Sequence, residues 1–297
     1  MLTTGSVASP TAFFIAHLLP VNVSMPTLGT LAISTEYPFG DQVILTAVPA
    51  AGRTTPLSVR VRIPGWAVGT SVSVDSGAPS ALRNGTVWEW NVAAGASSTA
   101  LIILSPEIRF ARGWGVLGTS SADATAATPA SSSSAPPTDA VAVYRGPLLF
   151  ALQLTPQPTV VRSPAAGGVC EQPAMPYPTG GACKSADLAF TLDPNATAWN
   201  YALNLAKQPF VVERRPGSAS TAQGAPFDPQ SQRLLIRASA RRVAAWTLTH
   251  RRNKANEPPP SPVDCAAARA CGEEVTIDLI PFGATQTRIA AFPWYKA

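Results

Sequence analysis

From Leu57 to Ile63 the chain alternates without a break. Leu57, Val59, Val61 and Ile63 point one way along an extended backbone, while Ser58, Arg60 and Arg62 point the other. A period of two marks a strand with one buried and one wet face. Pro64 cannot donate to a ladder and Gly65 suits a turn, so the strand ends there and Trp66 is expected to fold over the end of the sheet. The same pattern predicts strands at Ala12–Leu19, where His17 interrupts an apolar run that stops at Pro20, at Gly29–Thr35, and at Val43–Val48 with Val43, Leu45 and Ala47 on one face. Glu36 to Asp41 reads as a turn. Val72 and Val74 flank Ser73, turns follow at Asp75-Ser76-Gly77 and Asn84-Gly85, Trp88, Trp90 and Val92 share a face, and Leu101–Leu104 is wholly apolar.

The later part of the chain repeats the style. Ala140–Leu152 reads as one long strand kinked at Gly146-Pro147. Leu188, Phe190 and Leu192 alternate, as do Trp199, Tyr201, Leu203 and Leu205, and further strands are expected at Leu234–Ala238, Val243–Leu248, Val275–Leu279 and Thr287–Phe292. No stretch holds a 3.6-residue apolar period. Strands this close together predict an all-β chain of two antiparallel β-sandwich (jelly-roll-like) domains in tandem, 12–155 and 156–297, divided near Pro156. Residues 119–138, rich in Ser, Ala, Thr and Pro, read as a disordered loop of the first domain, and 163–181 as an irregular insert in the second. The proline-dense Asn256–Pro262 piece is expected to run extended over the surface.

Composition sharpens this picture. At 297 residues there is room for two cores, and 13% charged against 46% apolar residues excludes a disordered chain. Thirty prolines and 21 glycines favour short strands and turns over long helices. The net charge of +5 is scattered apart from one cluster, Arg241, Arg242, His250, Arg251, Arg252 and Lys254. No aromatic ladder is interleaved with it, so no nucleic-acid partner is expected. No run of about 20 apolar residues occurs, so no membrane span is expected either. The N-terminus lacks a basic region, which makes its apolar run a poor signal peptide and a better strand.

The four cysteines form two local pairs, Cys170 with Cys183 and Cys265 with Cys271, neither with zinc-knuckle spacing. They read as two loop-closing disulfides of an oxidising compartment, or as four free thiols. Three sequons, Asn22-Val23-Ser24, Asn84-Gly85-Thr86 and Asn195-Ala196-Thr197, lean slightly towards a secretory, extracellular origin.

Seven segments, in order, resemble the C-terminal half of glycoside hydrolase family 127, the β-L-arabinofuranosidase-like proteins. They are Glu36–Phe39, Val59–Trp66, Val143–Leu148, Trp199–Leu203, Ala240–Val243 with Trp246, Pro258–Pro262, and Leu279–Thr285 with Arg288-Ile289 and Phe292-Pro293. The resemblance implies a family architecture of an α/α barrel followed by two β-sandwiches. It also implies chemistry seated in the barrel, where a cysteine thiolate acts as nucleophile beside a zinc held by cysteines and a glutamate, with a second glutamate as acid/base. This chain is expected to start where the barrel hands over to the sandwiches. None of its cysteines matches a family motif, so no catalytic, cofactor-binding or metal residue carries over, and no zinc or other cofactor is expected in this chain.

The residues themselves offer little else. A glycosidase needs two carboxylates about 5–10 Å apart across a sugar site. Glu36, Asp41 and Glu89 are the most tempting, but Glu89 lies between Trp88 and Trp90 and so faces water. Glu273 and Glu274 read as the start of a polar turn, and His17 as a packed, hydrogen-bonded core histidine. Trp66, Trp88, Trp90, Trp114, Trp199, Trp246 and Trp294 could stack on sugars, but packing is the better reading for rings of this size. Arg60 and Arg62 are expected to pair with carboxylates on a neighbouring strand or on a barrel. The expectation is thus an accessory, non-catalytic region whose partners are a catalytic barrel and plant- or cell-wall-type glycan. The alternative is a free-standing carbohydrate-binding or structural extracellular module.

Overall fold

The computed structural model describes residues 12–112, 139–154, 198–206, 210–215, 232, 234–247, 258–266, 270–285 and 287–296, together with the backbone of 157–162 and 187–191. Among these residues there is no α-helix, only strands and a single-turn 3-10 segment at Phe282–Ala284. The all-β expectation holds. By contacts the chain forms two compact units, one of Met1–Arg109 with Tyr144–Leu148 and one of Phe110–Val143 with Leu149–Ala297. That division is discontinuous, where the sequence offered one cut near Pro156.

The first unit holds β1 (Ala12–Ile15), β2 (Val21–Met25), β3 (Gly29–Thr35), β4 (Gln42–Pro49), β5 (Leu57–Arg62), β6 (Ser71–Val74), β7 (Ser80–Ala81), β8 (Val87–Val92) and β9 (Ser98–Ile103). They make a six-stranded sheet, β2-β3-β4-β9-β6-β7, and a three-stranded sheet, β1-β5-β8. Residues from the inner faces of both form one core. Leu31, Val43, Leu45, Ala47 and Ile102 come from the large sheet, and Phe13, Leu57, Val59, Val61 and Val92 from the small one. Each fully buried Val, Leu or Ile contributes about 1.5–3 kcal/mol relative to exposure. β3, β4, β5 and β8 keep the faces their alternation predicts, with Arg60, Arg62 and Glu89 outward and Trp90 and Val92 inward. Pairing is antiparallel except between β1 and β5, which run parallel. The first strand is also shorter than Ala12–Leu19 suggested. The chain bends at residues 16–17 and His17 is exposed, not packed in the core.

The second unit is built on one sheet. Its strands are β10 (Ile108–Arg112), β11 (Val141–Arg145), β12 (Leu148–Leu152), β15 (Tyr201–Asn204), β16 (Val211–Arg214), β17 (Leu234–Val243), β18 (Cys271–Pro281) and β19 (Trp294–Tyr295), of which residues 108–109, 144–145 and 148 are counted with the first unit. They run in the order β10-β11-β12-β18-β17-β15-β19, with β16 beside β17. A separate two-stranded ribbon pairs β13 (Gln157–Arg162) with β14 (Asp187–Thr191).

Several sequence expectations change here. Gly146-Pro147 is a tight turn between two neighbouring strands rather than a kink in one, and Gly146 adopts φ +55°, a conformation that suits glycine. Leu234–Ala238 and the start of Val243–Leu248 merge into β17, whose register shifts between Arg241 and Val243. Thr287–Phe292 makes no strand and contributes only an isolated bridge from Phe292 to Val141. Residues 119–138, 163–181 and His250 to Lys254 lie outside the described residues.

Candidate functional site

Three of the family-like segments meet at one corner of the first unit. After β3, Thr35 Oγ1 accepts the Tyr37 N–H at 2.9 Å and donates to the Gln42 carbonyl at 2.7 Å, which closes the Glu36–Asp41 turn. The Phe39 and Gly40 N–H groups both donate to the Glu36 carbonyl. The turn delivers the Tyr37 ring onto Trp66, with centroids 6.3 Å apart and planes 8° from parallel. Trp66 is placed by the turn after β5, where Ala67 N–H donates to Pro64 O and Asn84 Nδ2 donates to Gly65 O at 2.7 Å. On the other side Gly146 lies so close that a Cβ there would sit 3.3 Å from the Trp66 ring. The large ring does fold over the sheet end.

Charge at this corner is paired. Arg145, whose side chain is only 7% exposed, donates to Asp41 at 2.8 Å. Arg109 donates to the Gly146 carbonyl at 3.1 Å and sets its guanidinium 5.6 Å from the Tyr144 ring centre. Burial pushes the Tyr37 hydroxyl pKa up, with the Arg62 charge pulling back. Burial does the same to Tyr144 against Arg109. The corner is a junction of stacked rings and paired charges, with Asp41 committed to holding Arg145, whose buried Nε has no hydrogen-bond partner among the described residues.

The other tempting carboxylates are also engaged. Glu89 accepts from Ser58 Oγ at 2.9 Å and lies 3.7 Å from Arg60, about half exposed, which is the cross-strand pairing expected for Arg60. Such a pair contributes under about 1 kcal/mol. Glu273 and Glu274 lie in β18 and not in a turn. Glu274 accepts from the Tyr295 hydroxyl at 3.2 Å and from Asn204 Nδ2 at 3.4 Å, while Arg241 stands 5.4 Å over the Tyr295 ring. Burial raises the Tyr295 pKa, and the Glu274 charge raises it further. Sequence reasoning missed this constellation because its hydrogen-bonded partners are up to 70 residues apart.

A second buried device is Asn200. Its Nδ2 donates to the carbonyls of Val243 and Trp246, both at 2.8 Å, and its Oδ1 accepts from Arg242 Nε at 3.0 Å. The second unit also carries an open cleft of about 300 Å³ with Leu152, Leu154 and Ile277 as apolar walls and Tyr201 and Asp278 as polar ones. Asp278 is held between Arg215 at 3.4 Å and Arg237 at 3.6 Å.

The described tryptophans pack. Trp88 and Trp90 stack on each other at 6.1 Å, Trp90 within the core of the first unit and Trp88 packed against it, and Trp199 meets Trp246 edge-on at 5.0 Å. Trp294 is buried, donates from Nε1 to Asp139 O at 3.0 Å, and carries Arg112 on its face at 4.8 Å. Trp114 lies outside the described residues.

A zinc centre of the kind implied for the family needs thiolates, and the chain's described cysteines do not fit it, because Cys265 and Cys271 are joined in a disulfide. Cys170 and Cys183 lie outside the described residues. No described helix is long and apolar enough to cross a membrane.

No protein-family model matches the chain, and no curated protein does. Among solved structures, a glycoside hydrolase matches with a TM-score of 0.52 at 15% identity, over 97% of this chain and 36% of that one. A family-127 (GH127) β-arabinofuranosidase matches with a TM-score of 0.50 at 14% identity, over 96% of this chain and 35% of that one. A GH127 β-L-arabinofuranosidase from Geobacillus stearothermophilus T6 aligns over 98% of this chain and 34% of that one, with a TM-score of 0.48 at 14% identity. At these identities the shared property is the fold, and the chain spans about a third of the length of the solved structures it matches.

Proposed function

We propose that this chain is the accessory β-sandwich region of a family-127-like, carbohydrate-active protein. On this reading hydrolysis belongs to a helical α/α barrel, and the sandwiches support that barrel. The observation that carries the reading is the fold shared over 97% of the chain with a glycoside hydrolase. The ordered motif segments support it too, since three of them build the Tyr37–Trp66–Arg145 junction rather than an open reaction site. Asp41, Glu89, Glu274 and Asp278 each serve an ion pair or hydrogen bond within the fold. The Cys265–Cys271 bridge favours an oxidising, extracellular setting. Neutral cell-wall-type glycan, rather than nucleic acid or a membrane, is the ligand class this reading expects.

The test is turnover of an aryl β-L-arabinofuranoside by the purified chain. No hydrolysis above buffer is expected. Turnover that disappears in Asp41→Asn or Glu89→Gln protein would overturn the non-catalytic reading.

The open cleft favours a second reading, a sugar-binding module, because Tyr201 and the apolar walls could meet a pyranose or furanose C–H face while Asp278 takes its hydroxyls. Binding on a glycan array that is lost in Tyr201→Ala would select it.

A further inference from the structure

The six strands of the large sheet in the first unit contain no Asp, Glu, Lys or Arg at all. The small sheet, by contrast, turns Arg60, Arg62 and Glu89 outward. Across the outer face of the large sheet run the cross-strand rows Asn22, Ala32, Thr46, Thr99 and Ser34, Ile44, Leu101, Ser73. Ile44 and Val48 on this face are each 41% exposed. The strands therefore present a neutral surface, with hydroxyls set around apolar side chains, and the Asp75 carboxylate meets it at the Thr99 N–H of β9. Its β2 edge also lacks the charges that usually discourage strand-to-strand association.

That edge carries the sequon Asn22-Val23-Ser24. Asn22 and Ser24 lie two residues apart on the outward side and are both exposed. Among the described contacts the Asn22 side chain has none, whereas Asn84, in the second sequon, spends its Nδ2 on Gly65 O beneath Trp66. Asn195 lies outside the described residues.

We propose that Asn22 is a site of N-glycosylation and that the attached neutral oligosaccharide lies over this uncharged face and shields the β2 edge. The donor is a lipid-pyrophosphate-linked oligosaccharide. The Asn22 Nδ2 bonds to the anomeric carbon as the carbon–oxygen bond to pyrophosphate breaks, Nδ2 gives up one proton, and the lipid pyrophosphate leaves. Sugar hydroxyls can meet the Ser and Thr hydroxyls, and sugar C–H groups can meet Ile44 and Val48, with no charged side chain of these strands to desolvate. The inference is independent of the function proposed above and needs only passage through a compartment that holds such donors.

The test is to secrete the full chain from a eukaryotic host and map its peptides after enzymatic release of N-glycans in heavy-oxygen water. Expected is the mass mark of deamidation at Asn22, lost in Ser24→Ala and retained in Ser24→Thr. Secreted chain with an unmarked Asn22 would overturn the site. The covering role is read separately by light scattering. Secreted Asn22→Gln protein should self-associate more than the glycosylated chain, and adding Ile44→Ser should reverse this. Equal scattering with and without the Asn22 glycan would overturn the covering role while leaving the site intact.

Discussion

Asn200 shows how much one side chain can fix. Its amide holds the carbonyls of Val243 and Trp246 and accepts from Arg242, tying the segment before β15 to the end of β17. Asn200→Ala strands the Trp246 carbonyl, while the Val243 carbonyl keeps the Trp246 N–H at 3.1 Å; an unsatisfied buried group costs about 1–3 kcal/mol, so a loss of about 2 kcal/mol is expected in urea unfolding. A loss below about 1 kcal/mol would mean that water replaces the amide. Asp75 gives a pH-dependent case. Its carboxylate accepts from the Thr99 N–H and then the Ser98 hydroxyl, both at 2.7 Å, and these bonds hold its pKa below the usual carboxylate value. A lowered folded pKa lends stability above the unfolded value of about 3.9, and that stability fades as pH falls through the folded value. Asp75→Asn should therefore unfold at lower urea than wild type near neutrality, with the gap closing below about pH 4. A gap that is constant down to pH 2 would show that the charge plays no part. Neither Asn200 nor Asp75 stands out in the sequence as an anchor, because hydrogen-bond partners 23 to 46 residues away leave no periodic trace.

At the scale of strands, legibility followed burial. β3, β4 and β5 have one buried and one wet face, so their alternation states both their extent and their orientation. β15 and the start of β17 bury both faces, with Leu234, Leu235 and Ile236 all inaccessible, so the strands are legible there but the side that meets the core is not. β2 fails for the opposite reason, since an edge strand with most residues exposed has no apolar side to announce it. The turn at Gly146-Pro147 looked like a kink because proline breaks a ladder in either case, while the positive φ that reverses the chain belongs to the glycine before it. Gly29 is another such pivot. It opens β3 at φ +120°, and a Cβ there would overlap the Val48 carbonyl oxygen. Gly29→Ala should cost about 3 kcal/mol through strain at the start of β3 and overlap with the end of β4, read as a lower thermal midpoint. An unchanged midpoint would show that the two strands can shift to make room.

For the molecule as a whole, the motif order and the fold agree, while the chemistry stays with a partner on the proposed reading. The segments that looked like a family signature were legible because Gly, Pro and Trp at turns are conspicuous letters. Their meeting at Tyr37, Trp66 and Arg145 was not legible, since nothing local says that Asp41 will find an arginine 104 residues later. The Cys265–Cys271 bridge acts at this scale too. Cys271 opens β18 opposite Val243, and Cys265 follows Val263, whose N–H donates to Trp294 O at 2.7 Å, while Ser261 Oγ accepts the Trp294 N–H at 3.2 Å. The sulfur bond works like a hasp: it latches the strip that clasps the two-residue β19 to the root of the longest hairpin. Closing so small a ring stabilises by about 2 kcal/mol. Opening it with a thiol should let the Trp294 and Tyr295 amides trade hydrogen with solvent well before the sheet around them comes apart.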